Sequence, residues 1–217
     1  MRELLIYQVR SEFRKKSLFF SLVLYLVSLV FINYLALGLQ HRFLEPGLWS
    51  ALFWMALLSA LVNAVAKSFL HERPGTVTYL YSLASPEQII LSKMVYGFLL
   101  CTLIALTGYF FFALWLHNPI QDEFLFVVTL VLTSFGFSAA LSLLSAIAAK
   151  TNNGSMVMAV LSFPIIIGIL LMAIKITKNC IDGLDRAASS DELLLLVAIN
   201  LMASAFSYLL FPYIWRS

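Results

Sequence analysis

Six stretches of the chain contain no Asp, Glu, Lys, Arg or His: residues 18–39, 48–66, 94–116, 124–149, 155–174 and 193–214. A helix crosses a hydrocarbon core of about 30 Å with about 20 apolar residues, because in lipid every backbone amide must find its partner within the helix. Each stretch has that length. The pattern therefore predicts an all-α membrane protein with six transmembrane helices. Composition agrees, since 62% of the 217 residues are hydrophobic and 12% charged, too few charges to cover a water-soluble domain. The longest connections, 67–93 and 175–192, are too short for a separate soluble unit, so residues 1–217 read as one transmembrane domain. The first apolar run is longer than a secretory h-region of about 7–15 residues, and its flank is amphipathic, so a cleaved leader is not expected.

The net charge of +3 says nothing about nucleic acid, because it is sorted by membrane side. With the amino terminus inside, the inner segments hold Arg2, Arg10, Arg14, Lys15, Lys16, Lys67, Arg73, Lys93, Lys150 and Arg216, ten of fourteen basic residues. The outer segments keep Arg42, Lys175, Lys178 and Arg186 with seven of eleven acids. The positive-inside rule then places both termini in the cytoplasm, with Lys175 and Lys178 running against it in the last hairpin.

Residues 2–16 set Leu5, Ile6, Val9 and Phe13 at helical spacing against Arg2, Glu3, Arg10, Glu12 and Arg14. That stripe predicts an interfacial amphipathic helix, apolar face toward acyl chains and cations toward headgroups.

The connection "HERPGTVTYLYSLASPEQ", residues 71–88, is more elaborate than joining two spans requires. Pro74-Gly75 stops the preceding helix. Val77, Leu80 and Leu83 or Ala84 then fall near one face of a short helix. Ser85 as N-cap, Pro86 at the first helical position and Gln88 completing a capping box start the next long one. The short helix cannot bury its apolar side alone, so either headgroups or a partner protein must cover it.

The fourth span is rich in small residues, and Ser138, Ser142, Ser145 and Ala149 form a stripe for close helix contact, within the chain or between subunits. Pro164 and Gly168 suggest a kink in the fifth span. Asn33, Asn63 and Asn200 are polar groups that can join helices. Trp49, Trp54 and Trp115 fall where an interfacial aromatic belt is expected. Cys101 lies in a span and Cys180 in an outer loop, so a disulfide is not expected.

No charge is predicted within the spans, which disfavours an ion-coupled carrier. No glycine is followed by lysine, so there is no phosphate-cradling Walker A loop, and neither an H-E-x-x-H zinc site nor a G-x-S-x-G nucleophile turn occurs. The chain is expected to be non-catalytic, with no cofactor or metal of its own. Energy for any uphill work must come from a separate polypeptide, which gives residues 71–88 a possible task as the surface it presses. His41 and His117 fall on outer loops, where an imidazole is either solvated or an axial ligand for haem iron.

The order Glu72, Gly75-Thr76, Leu80, Leu83, Ser85-Pro86 and Lys93 resembles the permease subunits of ABC-2-type exporters. These carry an N-terminal interfacial helix, six spans and a cytoplasmic coupling helix between spans two and three. More narrowly, the chain length, "ELLIYQVRSEFRKK", and Phe69 before Glu72 are similar to the CcmB family, haem exporter permeases of cytochrome c maturation. Pro74, and Thr78 where relatives often carry an acid, depart from the pattern. The resemblance implies a multi-pass protein of the bacterial inner membrane, a homodimer within its complex. Its partners would be a CcmA-like ATPase that binds ATP, CcmC- and CcmD-like membrane proteins and the haem chaperone CcmE. Haem would be the transported or handled species, although the tryptophan-rich haem-handling segment of CcmC-like proteins is absent here. Glu72, Arg73, Gly75, Val77, Leu80, Leu83 and Pro86 would couple the permease to the ATPase. The alternatives are an ABC-2-type exporter of lipid, glycan or drug, and a non-transporting membrane scaffold.

Overall fold

The computed structural model describes residues 16–37, 45–70, 85–151 and 154–216. Among them the chain is helical, without strands. The helices are α1 (Lys16–Leu37), α2 (Pro46–Leu70), α3 (Pro86–Trp115), α4 (Glu123–Ala149), α5 (Gly154–Ile181) and α6 (Ser190–Arg216), with a 3-10 turn at Arg186–Ser189 before α6. Five are long and apolar enough to cross a membrane, α2 to α6; α1 contributes the shorter apolar stretch Phe20–Ala36. The interfacial helix expected over 2–16 lies outside the described residues.

Each helix starts near the end of the bundle where its predecessor finished. The proximal end gathers the end of α2, the start of α3, the end of α4 and the end of α6. The distal end gathers the α3–α4 and α5–α6 connections.

Small side chains put α4 at the centre, packed against α2, α3, α5 and α6, while α1 sits outside against α2 and α3. From Gly136 to Ala146 every α4 residue is buried, so the helix has no lipid face along this stretch. A Cβ on Gly97 of α3 would stand 2.6 Å from Ser138 Oγ, and one on Gly136 would strike the Asn200 side chain of α6. Glycine at these positions leaves room for the Ser138 and Asn200 side chains between the helices. The contacts are then fastened by hydroxyl and amide donors. Ser138 Oγ donates to the Met94 carbonyl (2.6 Å), Ser207 Oγ to the Ala139 carbonyl (2.9 Å) and Asn200 Nδ2 to the Leu132 carbonyl (2.8 Å). Ser138, Ser142 and Ser145 thus face other helices of the same chain, whereas Ala149 is exposed.

Three expectations are corrected. Trp49 and Trp54, assigned to an interfacial belt, are each 1% exposed. They join Phe53, Phe112 and Phe126 in an aromatic core, and Trp54 Nε1 donates to Thr177 Oγ1 at 3.1 Å. Both rings therefore face the protein interior rather than an interface. Cys180, assigned to a loop, lies on α5, which continues to Ile181; it and Cys101 are both buried free thiols. Lys93, also assigned to a loop, stands two turns inside α3 and is 2% exposed. Among the described residues Asn63 Nδ2 donates to the Ser59 carbonyl of its own helix, and α5 runs through Pro164 without ending.

Candidate functional site

Glu72, Arg73, Gly75, Val77, Leu80 and Leu83 lie outside the described residues. Of the expected coupling residues Pro86 is described, and it opens α3 at the first helical position as the sequence predicts. Ser85 has the extended backbone of an N-cap (φ −70°, ψ 149°), but its hydroxyl makes no cap bond. Its carbonyl instead accepts from the amides of Gln88 (3.0 Å) and Ile89 (3.2 Å). The Gln88 amide, the donor a capping box would give to the Ser85 hydroxyl, is taken by the Ser85 carbonyl instead.

The first turns of α3 are built into the bundle. Ile89, Ile90 and Met94 are buried with Ala139 and Ala146 of α4 and Phe211 of α6. Lys93 is buried beside them. A displacement delivered at Ser85 therefore meets α4 and α6 immediately, rather than a freely hinged α3.

Beside this cluster an open groove of about 730 Å³ lies between α3 and α6. Ser85, Glu87, Gln88 and Leu91 form one wall, and Tyr208, Leu209, Leu210, Pro212 and Tyr213 the other. Sequence reading missed the α6 wall; the signal available was Pro212, placed between two tyrosines near the end of an apolar run.

The distal end is closed by polar contacts. Asp122 caps α4 by accepting from the Leu125 amide at 3.1 Å. Its carboxylate also takes two bonds from Arg186, from Nε at 2.6 Å and from a terminal guanidinium nitrogen at 3.1 Å. The guanidinium lies 5.0 Å from the centre of the Phe124 ring. The Cys180 carbonyl accepts from the amides of Gln121 and Asp122. The Arg186 bonds and the Leu125 amide hold the Asp122 carboxyl below its usual value, and the same pair raises Arg186. These contacts clasp the α3–α4 and α5–α6 hairpins together. Asn118 Nδ2 donates to Tyr109 Oη (2.9 Å) and Glu123 Oε1 (3.1 Å), fixing the short connection.

His117 is exposed on that connection, with its backbone at φ 56°; His41 and His71 lie outside the described residues. Among the described residues no group of three or more His, Cys, Asp or Glu side chains is placed to hold a metal ion.

A family model described as CcmB protein matches residues 1–213. The chain belongs to the CcmB family. No curated protein and no solved structure matches it. CcmB membership and the apolar helices together make the chain a multi-pass membrane protein, a permease component of the ABC transporter of cytochrome c maturation that works with partner proteins.

Proposed function

We propose that this chain is the passive, non-catalytic membrane half of a machine driven by a separate CcmA-like ATPase. ATP binding and hydrolysis in that partner displace residues 72–88, and the bundle carries the movement to the opposite membrane face. There, with CcmC- and CcmD-like proteins, it releases the haem-loaded chaperone CcmE or exports haem. The protein lies in the bacterial inner membrane with both termini and the proximal end in the cytoplasm, as a homodimer within the complex. Glu72 and Arg73 orient the partner, Val77, Leu80 and Leu83 fill its groove, and Gly75 and Pro86 bound the coupling element.

The observation that carries this reading is the family match over residues 1–213. The seating of the first turns of α3 against α4 and α6 supports it. Coupling requires that the partner bind two membrane conformations with different affinity, and a surface joined to a packed helix gives a displacement somewhere to go. Co-purification with the ATPase after Leu80→Asp and Leu83→Asp tests the proposal: both association and cytochrome c yield should fall. Unchanged association and yield would remove the loop from the mechanism. A scaffold role would instead leave function intact when the partner's ATPase is inactivated.

A further inference from the structure

We infer that α3 has a second register against α4, one helical turn nearer the distal end, in which Ser134 replaces Ser138 as donor to the Met94 carbonyl. Ser134, Ser138 and Ser142 recur every four residues along α4 and so share one face of it. All three are buried, at 1%, 0% and 1% exposure. The middle one donates to the Met94 carbonyl of α3 at 2.6 Å, whereas among the described residues the Ser134 and Ser142 hydroxyls have no partner. A buried hydroxyl without a partner is costly. Other buried hydroxyls of the bundle avoid that cost by donating to the carbonyl four residues back, as Thr129 does to Leu125 (2.8 Å) and Thr177 to Ala173 (2.7 Å). Ser134 and Ser142 do neither, which marks them as groups that the observed packing leaves unused.

The facing surface of α3 is shaped for such a step. A Cβ on Gly97 would stand 2.6 Å from Ser138 Oγ and 3.8 Å from Ser142 Oγ, so α3 is seated on that pair of serines. Ser134 and Ser138 repeat the pair one turn toward the distal end, where α4 begins. Cys101 and Ala105, both buried, continue the four-residue row of Gly97 along α3, so the row itself sets no large side chain between one seat and the next. The edge-to-face contact of Phe98 with Phe135, 5.7 Å between ring centres, gives the observed seat its advantage. A step moves α3 by about 6 Å, four residues of about 1.5 Å each, and brings Phe98 level with Val131. The connection 116–122 can follow, since its seven residues reach about 23 Å when extended. His117 within it is held at φ 56°, a conformation that is costly for a residue with a Cβ. Close packing favours discrete seats over continuous sliding, and one-turn steps of packed elements are an established kind of two-state movement.

The test is disulfide trapping of the full chain, expressed alone in membrane vesicles, in a Cys101→Ala, Cys180→Ala background with copper phenanthroline as oxidant. Phe98→Cys with Phe135→Cys reports the observed register and Phe98→Cys with Val131→Cys the second. Phe98→Cys with Val128→Cys reports loose opening of the two helices. Phe98→Cys is common to all three pairs, so the lost ring contact affects them alike. The first pair should close fastest, the second more slowly, and the third not above background. Ser138→Ala, which removes the bond of the observed register, should raise the ratio of second to first product about threefold, and Ser134→Ala should lower it about threefold, the scale of one interhelical bond in a membrane. Ser142→Ala, unpaired in both registers, should leave the ratio unchanged. Each reading is a ratio within one background, so if one serine variant fails to fold the other still decides. No second product above the third, or a ratio indifferent to both Ser138→Ala and Ser134→Ala, would overturn the inference. Because the ATPase is absent from this experiment, its outcome is independent of the coupling proposal.

Discussion

Gly136 and Gly168 show how much a glycine's surroundings decide. A methyl group at Gly136 would strike Asn200 and stand 3.1 Å from Ile169 Cδ1, whereas at Gly168 it would meet nothing within 4 Å. Gly136→Ala should therefore cost about 1–3 kcal/mol through overpacking and weaken the Asn200 bond to Leu132. Gly168→Ala should be neutral or stabilising by about 0.5–1 kcal/mol, because alanine loses less backbone freedom in a helix. Thermal unfolding of the purified variants in detergent checks both. Asp122 permits a pH prediction. Its carboxyl is held below the ordinary 3.8 by the Arg186 bonds first and the Leu125 amide second. A depressed carboxylate stabilises the fold fully above its unfolded value and loses that contribution as pH falls through the lower folded value. The melting-temperature gap between the native chain and Asp122→Asn should thus stay constant at neutral pH and close only below about pH 4. A gap that closes near neutrality would mean another group governs the clasp.

At the scale of helices, the bond from Trp54 on α2 to Thr177 on α5 ties two elements far apart in sequence. Trp54→Phe and Thr177→Val each remove it, so the double variant should be more stable than the sum of the single losses implies. The coupling should be about 0.6 kcal/mol and no more than about 1.7, the range of interhelical bonds in membranes. Strict additivity would mean the bond contributes nothing. The helices themselves were legible because hydropathy detects what lipid requires: the stretch 124–149 became Glu123–Ala149, and 155–174 became Gly154–Ile181. Their ends were less so. A charge-free criterion marks the part of a helix that dwells in hydrocarbon, while backbone bonding continues through the headgroup layer. Hence α3 begins at Pro86 rather than Met94, and α5 carries Lys175 and Lys178 that the sequence assigned to a loop. The Ser85-Pro86 start was readable from local chemistry; the burial of Lys93, Trp49 and Trp54 was not, because a helix that is apolar all round gives no moment to say which face meets protein. The groove escaped for a related reason, since its two walls are more than a hundred residues apart.

For the whole molecule, the distribution of fastening constrains how movement can travel. The distal end is held by the Asp122–Arg186 pair, the Cys180 carbonyl and the aromatic core around Phe53. At the proximal end the packed contact between α3 and α6 rests chiefly on Ile89, Ile90 and Met94 against Phe211. If force enters through residues 71–84, this cluster is where it must be passed on. Phe211→Ala would leave a cavity there, at a cost of about 3–5 kcal/mol in packing, while leaving residues 72–83 themselves unaltered. The expected result is separation of two readouts: co-purification with the CcmA-like ATPase is kept, while cytochrome c yield falls. Leu201→Ala, also on α6 but 62% exposed, should alter neither. If Phe211→Ala lost partner association together with yield, the cluster would be part of the docking surface. If it changed neither, movement would have to bypass α6 and run through the α2–α4 contact instead.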